Sequence, residues 1–327
     1  MTAPLLELKN RPWIDSPFFP SLVEGAGLDP ETRKLVEHYA EHGYVIIDPQ
    51  IPSETIERAN AGLRDLFVQT YEPYYADETR IQDAWWRNED VRQIAIAPRV
   101  LEILRILYRR EPIPFQTLNF RVGSQQRTHS DIIHFDSFPY GYMCGVWTAM
   151  EDVDFSNGPL HYYHASHRLP RFDMHDVGIT AAGTVGYEKY HLYEDFVEAL
   201  MKAQRGERVE LKMQRGQSLI WSANLFHGGS PIRDNGRTRL SQVTHYYFEG
   251  CIYYTPLFSD VGLGKLVTRQ IHDARTGQAV PQFYNGVEIA NPGQWPPQQL
   301  PPWAAVPRKA RRKARNIKDA IARLLRP

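Results

Sequence analysis

At 327 residues and 42% hydrophobic content, the chain can bury a full core and is short enough to be one catalytic domain with appendages. Its only cysteines, Cys144 and Cys251, sit in no ligand-like spacing, which excludes a disulfide framework, and no apolar run approaches the length of a bilayer span. The net charge of zero hides an asymmetry, because residues 1–307 carry 29 basic and 37 acidic side chains while residues 308–326 carry nine Lys or Arg and one Asp.

The opening MTAPLLELKNRPW has neither a basic leader nor an apolar run of signal-peptide length, so a reducing cytoplasm is expected and residues 1–28 read as an extension. Asp29-Pro30-Glu31 is a helix start, Leu35, Val36 and Tyr39 recur at helical spacing, and Gly43 stops the run. Tyr44 to Ile47 reads as a short strand. Ser53 with Glu54 opens a second helix, and a third helical stretch is expected from Val91 to Tyr108.

From Phe115 the texture changes to short Val-, Thr- and aromatic-rich runs separated by Gly, Asn and Pro. Candidate strands are Phe115 to Val122, Thr128 to Phe135, Met143 to Val153, Leu160 to His164, Glu207 to Met213, Ser218 to Trp221 and Thr238 to Phe248. About eight strands suit a jelly-roll, so the expected class is mainly β with flanking helices (α+β) around a double-stranded β-helix, cupin-like core. This unit spans residues 29–280. An insertion at 171–204, whose second half from Tyr187 to Lys202 is amphipathic, is placed to act as a lid. Residues 281–307 are proline-rich and extended, and 308–327 read as a basic amphipathic helix.

The chemistry concentrates around His129-Ser130-Asp131. On a strand, i and i+2 point to one face, so an imidazole and a carboxylate aim at one point. His227, in Leu225-Phe226-His227-Gly228-Gly229, follows another strand and offers a third ligand. Two His and one carboxylate on one face of an octahedral iron leave positions for a bidentate oxo-acid and dioxygen. Ten and twelve residues on, Arg237 and Arg239 share strand parity, and either guanidinium could grip a carboxylate. A second HxD, His134-Phe135-Asp136, is the rival metal pair, and His161, His164 and His167 form a cluster whose spacing does not converge on a strand.

The segment from Phe120 to His167, with its HxD, Trp147-Thr148-Ala149 followed by Asp152, Asn157-Gly158-Pro159-Leu160 and a Ser166-His167 close, resembles the phytanoyl-CoA dioxygenase family. The resemblance extends over roughly residues 30–255. It implies an iron(II)- and 2-oxoglutarate-dependent dioxygenase using O2, with His129, Asp131 and His227 on the iron, Arg237 rather than Arg239 on the distal carboxylate of 2-oxoglutarate, and Trp147 against the co-substrate. His164-Ala165 stands where the family has Pro-Gly, which puts the shape of that turn at issue.

The implied reaction is hydroxylation of an unactivated C–H bond with release of succinate and CO2. Asp131 occupies the position that a radical halogenase leaves small, which favours hydroxylation. The competing class is a cupin-like binding module without redox chemistry, for which an arginine clamp would have no use. A small-molecule, lipid-linked or saccharide substrate is expected, and no nucleic acid, because the basic tail lacks interleaved aromatics. The tail's apolar stripe, Ala310, Ala314, Ile317, Ile321 and Leu324 with Leu325, fits peripheral contact with the inner face of the membrane, a partner protein, or packing on the acidic body.

Overall fold

The computed structural model describes residues 7–68, 79–179 and 187–289. In chain order the strands that build the site are β1 (Tyr44–Ile47), β2 (Arg80–Gln82), β3 (Pro112–Phe120), β4 (Asp136–Phe138), β5 (Met143–Ala149) and β6 (Leu160–Tyr163). They are followed by β7 (Arg208–Glu210), β8 (Ser218–Ser222), β9 (His227–Gly229), β10 (Ser241–Phe248) and β11 (Ile252–Tyr254). A six-stranded antiparallel sheet runs β1-β8-β5-β10-β3-β2, a three-stranded sheet runs β7-β6-β9, and β4 pairs with β11.

Alternation across the large sheet lets each strand serve two cores. Phe120, Trp147, Leu219, Trp221 and Val243 pack with Leu160 and Tyr162 of the small sheet, forming the barrel interior. The helices are α1 (Phe19–Glu24), α2 (Pro30–His42), α3 (Ser53–Arg64), α4 (Glu89–Ala95), α5 (Pro98–Tyr108) and α6 (Tyr190–Gln204). The opposite face, including Val45, Val146, Ile220 and Tyr246, packs under α2 and α5 through Val36, Tyr39, Leu104 and Leu107. The chain is therefore α+β around a double-stranded β-helix, as its texture indicates.

Local chemistry explains most boundaries. Asp29 caps the first long helix by accepting from Glu31 N and Thr32 N at 3.0 Å each. Gly43 ends it at φ +81°, with the His167 ring where a Cβ would stand. The stretch from Val91 to Tyr108 is two helices rather than one, Glu89–Ala95 and α5, because Pro98 has no N–H to donate and holds Ala97 extended.

Two strand expectations give way. No strand covers Thr128 to Phe135: His129 makes a single bridge, and Asp131–Ile133 is a 3-10 turn. Strand β10 begins at Ser241, so Arg237 and Arg239 precede it in irregular backbone, where strand parity does not apply.

The described part of the N-terminal extension belongs to the core, since Trp13, Ile14 and Val23 are buried there and Trp13 Nε1 donates to Ile106 O at 3.0 Å. The insertion contains helix α6 (Tyr190–Gln204), which buries Tyr193, Val197 and Met201 against Ile133 and Phe226. Residues 180–186 of the insertion, 290–307 of the proline-rich stretch and the whole basic tail lie outside the described residues; Phe283–Tyr284 and Val287–Glu288 form a small hairpin. Among the described residues, no helix is long and apolar enough to cross a membrane.

Candidate active site

His129 and His227 form an antiparallel bridge in which each backbone N donates to the other's carbonyl at 2.9 Å. Two side chains almost one hundred residues apart are thereby set side by side, with ring centroids 4.6 Å apart. The 3-10 turn that follows swings Asp131 beneath them, and Asp131 Oδ1 lies 3.8 Å from Nε2 of both rings. Each histidine donates its Nδ1–H to a carbonyl two residues earlier, Arg127 O and Leu225 O, at 2.9 Å. That fixes the tautomer and leaves both Nε2 lone pairs facing Asp131. Gln126 Nε2 lies 3.2 Å from His129 Nε2, where its amide can donate to that lone pair.

The other carboxylate oxygen is held from the large sheet. Trp221, Gly145, His245 and Gln116 occupy one row across β8, β5, β10 and β3. A Cβ on Gly145 would strike the Trp221 ring. The missing side chain lets the indole lie flat and donate Nε1–H to Asp131 Oδ2 at 2.7 Å. His245 approaches the same oxygen at 3.8 Å, its Nδ1 paired with Gln116 Oε1 at 3.0 Å.

Burial pushes His129 and His245 down to about 4, with the neighbouring His227 adding to the effect on His129. Burial opposes the Asp131 charge, but His227, His245, His129 and the Trp221 N–H outweigh it and hold the carboxyl below its usual range. The result is a carboxylate beside a neutral His129 imidazole, the protonation state in which such groups bind a divalent metal. His129, Asp131 and His227 bring one ligand atom each within 4.8 Å of one another, the one such set among the described residues. Two nitrogens and one oxygen with open space beside them suit iron(II).

That space is a cavity of about 270 Å³. The expected co-substrate arginine does not line it. Arg237 points to the surface, where Nη1 donates to Asp154 Oδ2 at 2.6 Å and to Ser156 Oγ at 2.7 Å. Arg239 lines the cavity instead, 1% exposed and beside Phe120 and Trp147. It donates to Ser241 Oγ at 3.0 Å, its Nε has no partner, and no carboxylate pairs with it among the described residues. Burial pushes its guanidinium down to about 10. A buried cation with no carboxylate in direct contact, Glu151 acting only at a distance, fits a site for a carboxylate. Trp147, fully buried, lines the same cavity with its Nε1 unpartnered.

The rival constellations separate. Asp136 is buried in an ion pair with Arg171 and lies near Tyr254, while His134 lines the cavity with Nε2 3.1 Å from Tyr190 Oη. His161 meets Thr128 Oγ1 at 3.0 Å, His164 meets Tyr44 Oη at 3.3 Å, and His167 meets Ala40 O at 3.2 Å, so the three have separate structural partners. Trp221 and His245 belong to no motif in the sequence. The parity of β10, with Val243 and His245 both facing the cavity, was the available signal for the second.

A family model described as phytanoyl-CoA dioxygenase (PhyH) matches residues 39–240. The chain belongs to the phytanoyl-CoA dioxygenase family. It is an iron(II)- and 2-oxoglutarate-dependent oxygenase, and its His-Asp-His cluster is able to bind a metal. Peroxisomal phytanoyl-CoA dioxygenase of Rattus norvegicus is 24% identical over 248 residues, 68% of this chain and 69% of that protein; the Homo sapiens enzyme is 21% identical over the same shares. Among solved structures, the non-heme alpha ketoglutarate dependent carbocyclase SnoK from nogalamycin biosynthesis has a TM-score of 0.56 at 16% identity, covering 78% of this chain and 94% of its own. EctD from S. alaskensis, solved with 2-oxoglutarate and 5-hydroxyectoine, has a TM-score of 0.51 at 16% identity, covering 68% and 76%. These likenesses place the family chain on the shared fold.

Proposed function

We propose that the protein hydroxylates an unactivated C–H bond of a polar, ring-bearing small molecule, with iron(II) held by His129, Asp131 and His227. O2 would be the oxidant, activated at the bound iron(II), with 2-oxoglutarate and the C–H bond each giving two electrons; one oxygen atom would go to the product and one to succinate as CO2 leaves. Arg239 receives the distal carboxylate of 2-oxoglutarate and Trp147 bounds the co-substrate, Arg237 being engaged elsewhere. Trp221 and the carbonyls of Arg127 and Leu225 keep the three ligands aimed.

The single observation that carries the reaction class is the convergence of those ligand atoms in one cavity with a buried Arg239 that no carboxylate contacts. The substrate class rests on the remaining wall. His134, Phe135, Tyr187 and Tyr190 offer aromatic faces, while Arg80, Gln82 and Gln116 offer polar contacts. An acyl chain laid there would set apolar surface against these polar side chains, whereas a hydroxylated ring offers both the polar and the aromatic wall a matching contact.

Succinate formation from 2-oxoglutarate with iron(II), scored above the uncoupled background, tests both parts. Cyclic polyols and saccharides should stimulate it more than acyl thioesters. Stimulation by acyl thioesters alone would remove the substrate class, and no iron-dependent succinate under any condition would remove the reaction.

The charge asymmetry supports a separate part of the reading: residues 308–326 bring the enzyme reversibly to an anionic membrane surface, where a lipid-linked saccharide would be at hand. Co-sedimentation with anionic and neutral vesicles, with and without residues 308–327, tests it; equal behaviour of the two proteins contradicts it.

A further inference from the structure

The backbone from Gly123 to Arg127 has no regular structure, yet the carbonyl of Arg127 takes the Nδ1–H of His129. The direction of that imidazole therefore depends on where the peptide of Arg127 lies. On one side the loop is tied by Gly229 N donating to Gln126 O at 2.8 Å, a close approach that Gly228 and Gly229 permit because a Cβ on either would meet the backbone of residues 125 and 126.

On the other side the tie is the Arg127 side chain. Its Nε donates to Glu198 Oε1 at 2.7 Å and its Nη2 to Asp195 Oδ1 at 2.7 Å, with Glu194 Oε2 3.6 Å from Nη1. All three carboxylates belong to α6, and among the described residues no other Lys or Arg pairs with them. The same helix is anchored by its buried stripe and reaches the cavity wall through Tyr190 on His134. It is at once part of the substrate wall and the post to which Arg127 is fastened.

We propose that Arg127 is a positioning residue that couples helix α6 to the metal-facing ring of His129. The helix fixes the guanidinium, the side chain fixes its own peptide, and the carbonyl of that peptide fixes the imidazole. Whatever displaces α6 from the cavity then also changes how His129 is aimed. Because the guanidinium and two of its three partners are substantially exposed, the ion pairs themselves add little to folding stability. The effect falls on the metal site instead, where loss of a partner to a ligand histidine weakens binding by about tenfold or more.

The inference rests on His129 being a metal ligand, and Co(II) binding to the full-length protein, read by dissociation constant and visible spectrum, separates the two. Arg127→Met should raise the Co(II) dissociation constant about tenfold and shift the visible bands, with the thermal midpoint nearly unchanged. Glu194→Gln, Asp195→Asn and Glu198→Gln combined should do the same from the helix side. Arg127→Lys, able to meet one carboxylate at a time, should fall between. If Arg127→Met and the helix variant bind Co(II) with wild-type affinity and spectrum while His129→Ala loses it, the coupling is wrong and the ligand assignment stands. If His129→Ala binds as wild type, the assignment falls and the coupling with it.

Discussion

Trp221 and Asp131 meet through one hydrogen bond of 2.7 Å, indole Nε1 to carboxylate Oδ2, and it leaves Oδ1 as the oxygen facing both histidine Nε2 atoms. A buried carboxylate able to rotate would present either oxygen or both; here the sheet chooses. Trp221→Phe keeps the ring and deletes the donor. We predict a loss in iron(II) or Co(II) affinity of about 10- to 100-fold with the fold retained, read by metal titration. Wild-type affinity in this variant would show that the indole only fills space.

Arg239→Ala should raise the 2-oxoglutarate KM about 30-fold or more, as expected when one partner of a desolvated charge pair is truncated at about 2 to 5 kcal/mol. Arg237→Ala should leave KM near wild type, because its partners, Asp154 and Ser156, stand at the surface. Succinate formation against 2-oxoglutarate concentration measures both. The opposite order would return the clamp to Arg237.

Metal-free protein should lose stability on acidification in a defined window. Burial depresses His129, His167 and His245 to about 4 and His134 and His161 to about 3. An unfolded histidine titrates near about 6.5, so between that pH and about 4 the unfolded chain binds protons the folded chain refuses. Stability is thus fully present above about 6.5 and falls by about 1.4 kcal/mol per pH unit for each such histidine as pH drops towards 4. Thermal midpoints from neutral pH to pH 4 check this, and a flat profile would contradict the neutral, buried imidazoles.

Ala165 adopts φ +55° at the turn where the family resemblance expects glycine, and Ser166 beside it accepts from Phe226 N at 3.0 Å. A side chain is strained in the left-handed region, while glycine is not. Ala165→Gly should therefore stabilise the protein by about 0.5 to 1 kcal/mol, seen as a small rise in the unfolding midpoint. A lower midpoint would mean the methyl group's packing outweighs the strain.

The local parts of this site could be read from the chain, and the parts made by tertiary pairing could not. His129 and Asp131 declare themselves by spacing and His227 by its place after a strand, yet the reason they meet is a bridge and a 3-10 turn rather than one strand face. The arginine was ambiguous because Arg237 and Arg239 are equivalent in parity. What separates them is the Asp154 to Ser156 turn, more than eighty residues earlier, which captures Arg237 at the surface. Trp221 and His245 look like ordinary strand residues until the sheet register sets Gly145 between them. Helix α6 was legible as an amphipathic stretch, but its attachment to Arg127 depends on how the insertion folds back.

The central claim is that His129, Asp131 and His227 together hold iron(II) beside 2-oxoglutarate. Anaerobic addition of iron(II) and 2-oxoglutarate to the purified chain, followed by the weak visible charge-transfer band of that complex, tests it most directly. The wild type should develop the band at one equivalent of iron, His134→Ala should retain it, and His129→Ala, Asp131→Ala and His227→Ala should each fail to form it while remaining folded. An undiminished band in any of those three, or its loss with Asp136→Asn in a folded protein, would contradict the assignment.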